Sequence, residues 1–256
     1  MKKINVPLWA WLPEVVLVVL GLVYFSFFSP FKAREASMEI LDYAENDAMM
    51  IIDDGDTLTF CPLFATETKG LIFYTGARVD YHAYTPIMYQ IAQAGVPVVV
   101  VKMPLNLALF APNKADQIID SAYFPCENEI TEWYIGGHSM GGFVAAQYAS
   151  ENLDTVKGLI LWGSYPAESV DLSHSQLDVV SIFGSNDMVS DLEEIQNSRQ
   201  QFPANARFYG ISGANHAQFG DYGEQRGDGE ALIAPSEQWR LVTDLTLQSM
   251  YSTAQN

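Results

Sequence analysis

The sequence predicts an α/β domain built on a mostly parallel central sheet with helices on both faces. Two observations predict it. Short runs such as "VPVVVVKMP" are apolar at every position, so they have no polar face to give to water and must be buried on both sides. Between these runs lie segments with helical spacing closed by glycine, so strand and helix alternate along the chain. A third observation adds to these: the residues with chemical potential fall just after the apolar runs, where sites in parallel sheets form. The 256 residues suffice for one such domain and are few for two.

The elements follow in order. "PLWAWLPEVVLVVLGLVYFSFFSP" stands apart, being mostly apolar over residues 8–28, with Pro13 and Glu14 as the main exceptions. As a helix it would reach about 30 Å, the thickness of a bilayer core. Trp9 and Trp11 suit a membrane interface. Residues 1–36 are therefore expected to be a single-pass anchor and linker, with the folded domain over 37–256. A cleaved signal on a secreted protein is the alternative, although no small-x-small cleavage site follows in "SPFKAREAS". Lys2 and Lys3 before the segment nearly balance Lys32 and Arg34 after it. The acidic domain and very short leading tail favour an extracytoplasmic domain.

"MMIIDDGDTLTFCPL" carries two β-prone runs around Asp54-Gly55, a hairpin at the start of the sheet. "GLIFYTG" is a buried strand, and "AYTPIMYQIAQAG" a helix that stops at Gly95. "VPVVVVKMP" is a strand and "KADQIIDSAYF" a short helix. "EWYIGG" is a strand backed by the helix "MGGFVAAQYAS". "VKGLILWGSYP", "LDVVSIFGSND" and "ARFYGISGANH" are three more strands, and "PSEQWRLVTDLTLQSMY" is an amphipathic closing helix.

Composition excludes some functions. The formal charge is −18, from 13 basic and 31 acidic residues, and no basic cluster offers a nucleic-acid footprint. The spacing of Cys61 and Cys126 fits no metal motif, and neither a metal nor a cofactor is expected. The two cysteines either pair in an oxidising compartment or stay as buried thiols.

Chemistry concentrates at "GHSMG", residues 137–141, which matches G-x-S-x-G. That pattern needs a strand, a very tight turn and a helix, and this chain supplies all three in order. Gly137 and Gly141 let the turn close, Gly142 lets the helix pack close to the sheet, and Ser139 is the candidate nucleophile. A serine hydroxyl needs a base. His216 follows the last strand and can lean over Ser139, whereas His138 is adjacent on the elbow and should diverge, His174 lies in a polar loop, and His82 follows the first buried strand. The base needs a carboxylate. Asp187 follows the penultimate strand, with Asp191 as main competitor and Glu168 and Asp171 less well placed. An oxyanion hole needs two amides. Met140, after the nucleophile, should give one, and Ala77, in the Gly76 turn where glycine lets the backbone bend inward, the other. Gly76, His138 and Gln218 are candidates for the substrate pocket.

With these residues in place the chain resembles the α/β-hydrolase superfamily. More narrowly it resembles small bacterial members, many of which carry an N-terminal hydrophobic segment. The likeness covers about residues 53–239 and is carried by "FYTGARVDYHAY", "VVVVKMPLNLALF", "IGGHSMGG" and "GANHAQFGDYGEQRGDGEA". It implies the α/β-hydrolase fold and a Ser139–His216–Asp187 triad, but no particular substrate. Only "SYPAESVDLSHSQ" separates two of the strands, leaving no room for a large cap domain, so an open site is expected. The long link after His216 reads as a fixed loop in which Gln218, Asp221 and Asp228 contact substrate or, as favoured, hydrogen-bond the loop to itself. The expected activity is that of a carboxylic-ester hydrolase, esterase- or lipase-like, on small-molecule or lipid-like esters. The alternatives are a peptidase or amidase with the same triad, and an inactive membrane-tethered binding protein.

Overall fold

The computed structural model describes residues 29–43, 48–63, 68–121, 124–126 and 129–251, with 11, 13, 15–19 and 21. Among the described residues eight strands form one sheet. β1 (Met49–Asp53) and β2 (Thr57–Pro62) make the expected antiparallel hairpin, and β2 also runs antiparallel to β4 (Val98–Val101). The rest is parallel: β3 (Lys69–Tyr74), β5 (Glu132–His138), β6 (Val156–Trp162), β7 (Asp178–Gly184) and β8 (Arg207–Ile211). Across the sheet the strands, numbered in chain order, run β1-β2-β4-β3-β5-β6-β7-β8. All four valines of β4 are buried, as a strand covered on both faces requires.

Helices cover the two faces. On one lie α1 (Glu35–Tyr43), α2 (Thr85–Gln93) and the closing helix Pro235–Tyr251, packed on Phe73, Ile160, Trp162 and Ile182. On the other lie the one-turn helix α3 (Asp116–Ile119) and α4 (Met140–Glu151), over Ile72, Tyr74, Ile135 and Leu161. A short α5 (Leu192–Asn197) follows β7, which makes the closing helix α6. Residues 163–177 between β6 and β7 contain no helix, so no cap is inserted there.

Cys61 and Cys126 form a disulfide with a Cα–Cα separation of 5.1 Å. It ties the end of β2 to the segment before β5. The apolar stretch 8–28 falls mostly outside the described residues. Residues 15–19 of it are helical and exposed. Among the described residues, no helix is long and apolar enough to cross a membrane.

Candidate active site

The parallel strands deliver their following loops to one edge of the sheet. β5 ends at Ser139, which adopts φ 53 and ψ −124 before α4 begins. A left-handed φ on a non-glycine residue is strained, and the surroundings hold it in place. The Ser139 amide donates to the Trp162 carbonyl at 3.0 Å, and Ser164 Oγ donates to the Ser139 carbonyl at 2.7 Å. The flanking glycines are sterically required: a Cβ on Gly137 would come within 2.3 Å of the Gly141 backbone, and one on Gly141 within 2.1 Å of the Tyr74 carbonyl. A Cβ on Gly142 would meet Ser164 at 2.7 Å, so this residue does set the packing of α4 on the sheet. Met140 is the first residue of α4, so its amide has no carbonyl to bond inside the helix.

Asp187 and His216 are brought together as the sequence predicts. Asp187 Oδ2 lies 2.7 Å from His216 Nδ1, and both side chains are buried. The other carboxylate oxygen accepts from the amides of Val189 and Ser190 at 2.9 and 2.8 Å. With Nδ1 donating to Asp187, Nε2 is left as the basic nitrogen. Among the described residues no hydrogen bond joins Ser139 to His216. Ser139 and Gly163 line one cavity of about 340 Å³, and Gly163 abuts the Asp187–His216 pair: a Cβ there would sit 3.0 Å from Asp187 Oδ2 and 3.1 Å from His216 Nδ1. The other lining residues include Leu109, Phe143, Tyr165 and Val189.

The competitors have other partners. Asp191 caps α5 by accepting from the amides of Glu193 and Glu194. Asp171 accepts from Ser173 N–H in an exposed loop, and His174 is exposed too. His82 lies between Asp80 and Asp53, at 2.9 and 2.8 Å, and the hydrogen bond it donates to Asp80, assisted by that to Asp53, raises its pKa.

None of the three pocket candidates lines the Ser139 cavity. His138 does diverge from Ser139, into the interior: it is fully buried, with its ring centroid 4.4 Å from that of His216. Gly76 N–H donates to Tyr84 Oη at 2.8 Å, and that hydroxyl lies 3.0 Å from His138 Nδ1. An oxygen that accepts from Gly76 directs its own proton at Nδ1, so His138 is a neutral ring protonated on Nε2. Burial holds its pKa well below the usual imidazole value, and the neighbouring His216 pushes the same way. Nε2 lies by the His216 main chain without a hydrogen bond of regular geometry. Gly76 is needed for space rather than for a bend: its φ is not left-handed, and a Cβ would lie 2.8 Å from His138 Nδ1. Ala77 N–H makes no hydrogen bond among the described residues, which leaves it free for a ligand.

Gln218 faces a second, more polar cavity of about 570 Å³, shared with Asn215, Asp221, Asp228 and Trp239. The long link is structural. Asp228 accepts from Ala217 N–H at 2.7 Å, beside His216, and from Met188 N–H at 3.3 Å, beside Asp187. Asp221 accepts from Ser37 N–H at 2.8 Å. Sequence reasoning missed Asn215 and Gln238, whose backbone–amide pair fixes the residue before His216: Asn215 N–H donates to Gln238 Oε1 at 3.1 Å, and Gln238 Nε2 donates to the Asn215 carbonyl at 2.8 Å. It also missed Tyr84, Gly163 and Ser190, whose Oγ donates to the Gly163 carbonyl at 2.5 Å.

Comparison with known proteins bears on the fold and the family. Solved structures superpose over most of the chain. One is MGS-MChE2, an alpha/beta hydrolase enzyme from the metagenome of lagoon sediments of Mar Chica, Morocco (15% identity, TM-score 0.57, 79% of this chain and 100% of that one). Others are the monoacylglycerol lipase of Paleococcus ferrophilus (13%, 0.56, 78% and 100%) and Est1E of Butyrivibrio proteoclasticus (16%, 0.53, 80% and 99%). At such identities the likeness shows the fold. No curated protein matches the sequence. The family model described as the alpha/beta hydrolase family matches residues 70–240, from β3 into α6. The chain belongs to the alpha/beta hydrolase family.

Proposed function

We propose that the protein is a serine hydrolase of carboxylic esters, with Ser139 as nucleophile, His216 as base and Asp187 as its orienting acid. The observation that carries this is the buried 2.7 Å Asp187–His216 pair beside the cavity into which the strained elbow presents Ser139. In the reaction Ser139 Oγ attacks the ester carbonyl while His216 Nε2 takes its proton. The amides of Met140 and Ala77 hold the oxyanion. His216 then gives the proton to the leaving alcohol, which leaves Ser139 acylated. Water, deprotonated by His216, releases the acid and restores the serine. The Ser139–His216 hydrogen bond forms as substrate closes the site, a common tightening in such centres. The lining residues Leu109, Phe143 and Val189 suit an apolar acyl chain.

We also place the domain on the outer side of a membrane, held by residues 8–28 as a single span. Residues 15–19 are apolar, helical and exposed, each about half or more (48–68%). Five successive residues circle the helix, and a helix apolar all round needs an apolar surrounding. The Cys61–Cys126 disulfide suits an oxidising compartment.

Two experiments test these readings. A fluorophosphonate probe should label the wild type and fail on Ser139→Ala, and aryl esters should turn over faster than matched anilides. A folded wild type that resists the probe overturns the ester reading, and faster anilide cleavage moves it to an amidase. For the tether, the full chain should stay with membranes in alkaline carbonate and be shaved by external protease. Recovery as a soluble secreted protein overturns it.

A further inference from the structure

The geometry points to the catalytic mouth itself as a membrane-docking face, so that Ser139 draws its ester from the lipid surface rather than from the water around it. This rests on the tether proposed above and adds its orientation. The apolar stretch ends at Phe28. Three residues later Phe31 is bridged to Val79, with its amide donating to the Arg78 carbonyl at 2.5 Å and its carbonyl accepting from Asp80 N–H at 3.0 Å. Three residues span at most about 10 Å. The chain thus leaves the apolar segment and joins at once the turn that carries Ala77, at the carboxyl edge of the sheet. It stays there: Arg34 N–H donates to the Asp221 carbonyl at 2.9 Å, in the loop after His216. A short strap fixed at two points beside the active site gives the domain little freedom to turn that edge away from the bilayer.

The same edge is apolar where it meets solvent. Leu105, Leu109 and Phe110 are 48, 54 and 58% exposed. Leu109 also lines the Ser139 cavity, so the patch runs into the site. Arg78 joins patch and strap, its amide donating to the Asn106 carbonyl at 2.7 Å, its Nε to the Ser29 carbonyl at 3.0 Å, and its guanidinium lying over the Phe31 ring. Lys32 and Arg34, both exposed, put positive charge at headgroup depth on a chain of net charge −18. The overall acidity disfavours anionic lipid. The fitting surface is therefore a zwitterionic bilayer, and the fitting substrate an ester whose acyl chain lies in it.

The test uses the full chain in phosphatidylcholine vesicles. The only two cysteines are paired, so Phe110→Cys introduces a single thiol for an environment-sensitive fluorophore. Leu153→Cys, exposed in the turn before β6 at the opposite edge, is the control. Lipid-borne quenchers should quench the label at 110 and spare that at 153. Equal quenching, or quenching at 153 alone, overturns the proposal. In a second arm Leu105→Ser with Phe110→Ser should raise the apparent KM for a vesicle-borne ester about fivefold or more, while kcat/KM for a water-soluble short-chain ester stays unchanged. An unchanged KM on vesicles also overturns it. Probe labelling at Ser139 and carbonate extraction report separately on the enzyme and the tether, so each failure is assigned to its own claim.

Discussion

The floor and the mouth of the site are built on opposite principles. The floor is polar and closed. His216, Asp187, His138 and Tyr84 are all buried, and nearly every polar atom has a partner in the protein. The mouth is apolar and open, with Leu105, Leu109 and Phe110 half exposed on a loop whose Leu105 and Asn106 hold left-handed φ values. Below, satisfied hydrogen bonds in a low dielectric fix one geometry, and removing a partner leaves a desolvated group unpaired. Above, contacts are non-directional, so residues can change with only a graded effect. On the proposed reading, the floor would set whether the reaction occurs, and the mouth which ester reaches it.

Substitutions can break this contrast, the largest effect first. Asp187→Asn should keep the fold but lower kcat about 10³- to 10⁴-fold, because His216 loses its orienting carboxylate. Steady-state kinetics on an aryl ester checks this, and a loss below tenfold would remove Asp187 from the triad. Gly76→Ala should cost about 1–3 kcal/mol in chemical denaturation, since its Cβ meets His138 Nδ1 at 2.8 Å. A neutral result would mean that the Tyr84–His138 floor yields easily. At the mouth, Leu109→Ser should leave the fold intact and reduce the preference in kcat/KM for long over short acyl esters by about three- to tenfold. A uniform loss across chain lengths would argue that Leu109 does not meet the acyl chain.

The smallest effects separate two histidines by pH. The folded pKa of His138 is depressed, so the unfolded chain binds the extra proton. Its contribution to stability is full above about pH 6.5 and is lost as pH falls below it. His82 has a raised pKa, so its contribution is full below about pH 6.5 and is lost as pH rises through the raised value. Thermal melts should show His82→Gln destabilised by about 0.5 kcal/mol in mild acid and matching the wild type in alkali. His138→Phe should flatten the acid limb. The opposite pattern for either residue would contradict its environment.

Much of this was legible beforehand. Every strand was, because a run such as Val98–Val101 declares burial on both faces by itself. So were the tight turn at Ser139 and the approach of Asp187 to His216, from their positions after strands and from their order. The floor was not. Gly76 signalled a bend, yet it is glycine because a ring from residue 138 fills the space above it. Gln218, next but one to His216, was left between substrate contact and, as favoured, a bond within its own loop; its backbone bonds to Asn215 and its side chain faces another cavity. Neither position could be settled for one reason: a glycine or glutamine has many uses, and only the neighbour selects among them.

The sequence by itself determined the alternation of strand and helix, the tight turn at Ser139 and the places of Asp187 and His216 after their strands. Those depend on local periodicity and on chain order, which tertiary contact does not alter. The tertiary structure alone decided that Cys61 pairs with Cys126, that Tyr84 reaches His138 across 54 residues, and that Gln238 holds the backbone beside His216. It also decided that the strap from residue 29 meets the carboxyl edge of the sheet rather than its opposite. Such contacts join residues far apart in the chain, and no local pattern encodes which of many polar partners will be near once the sheet has formed.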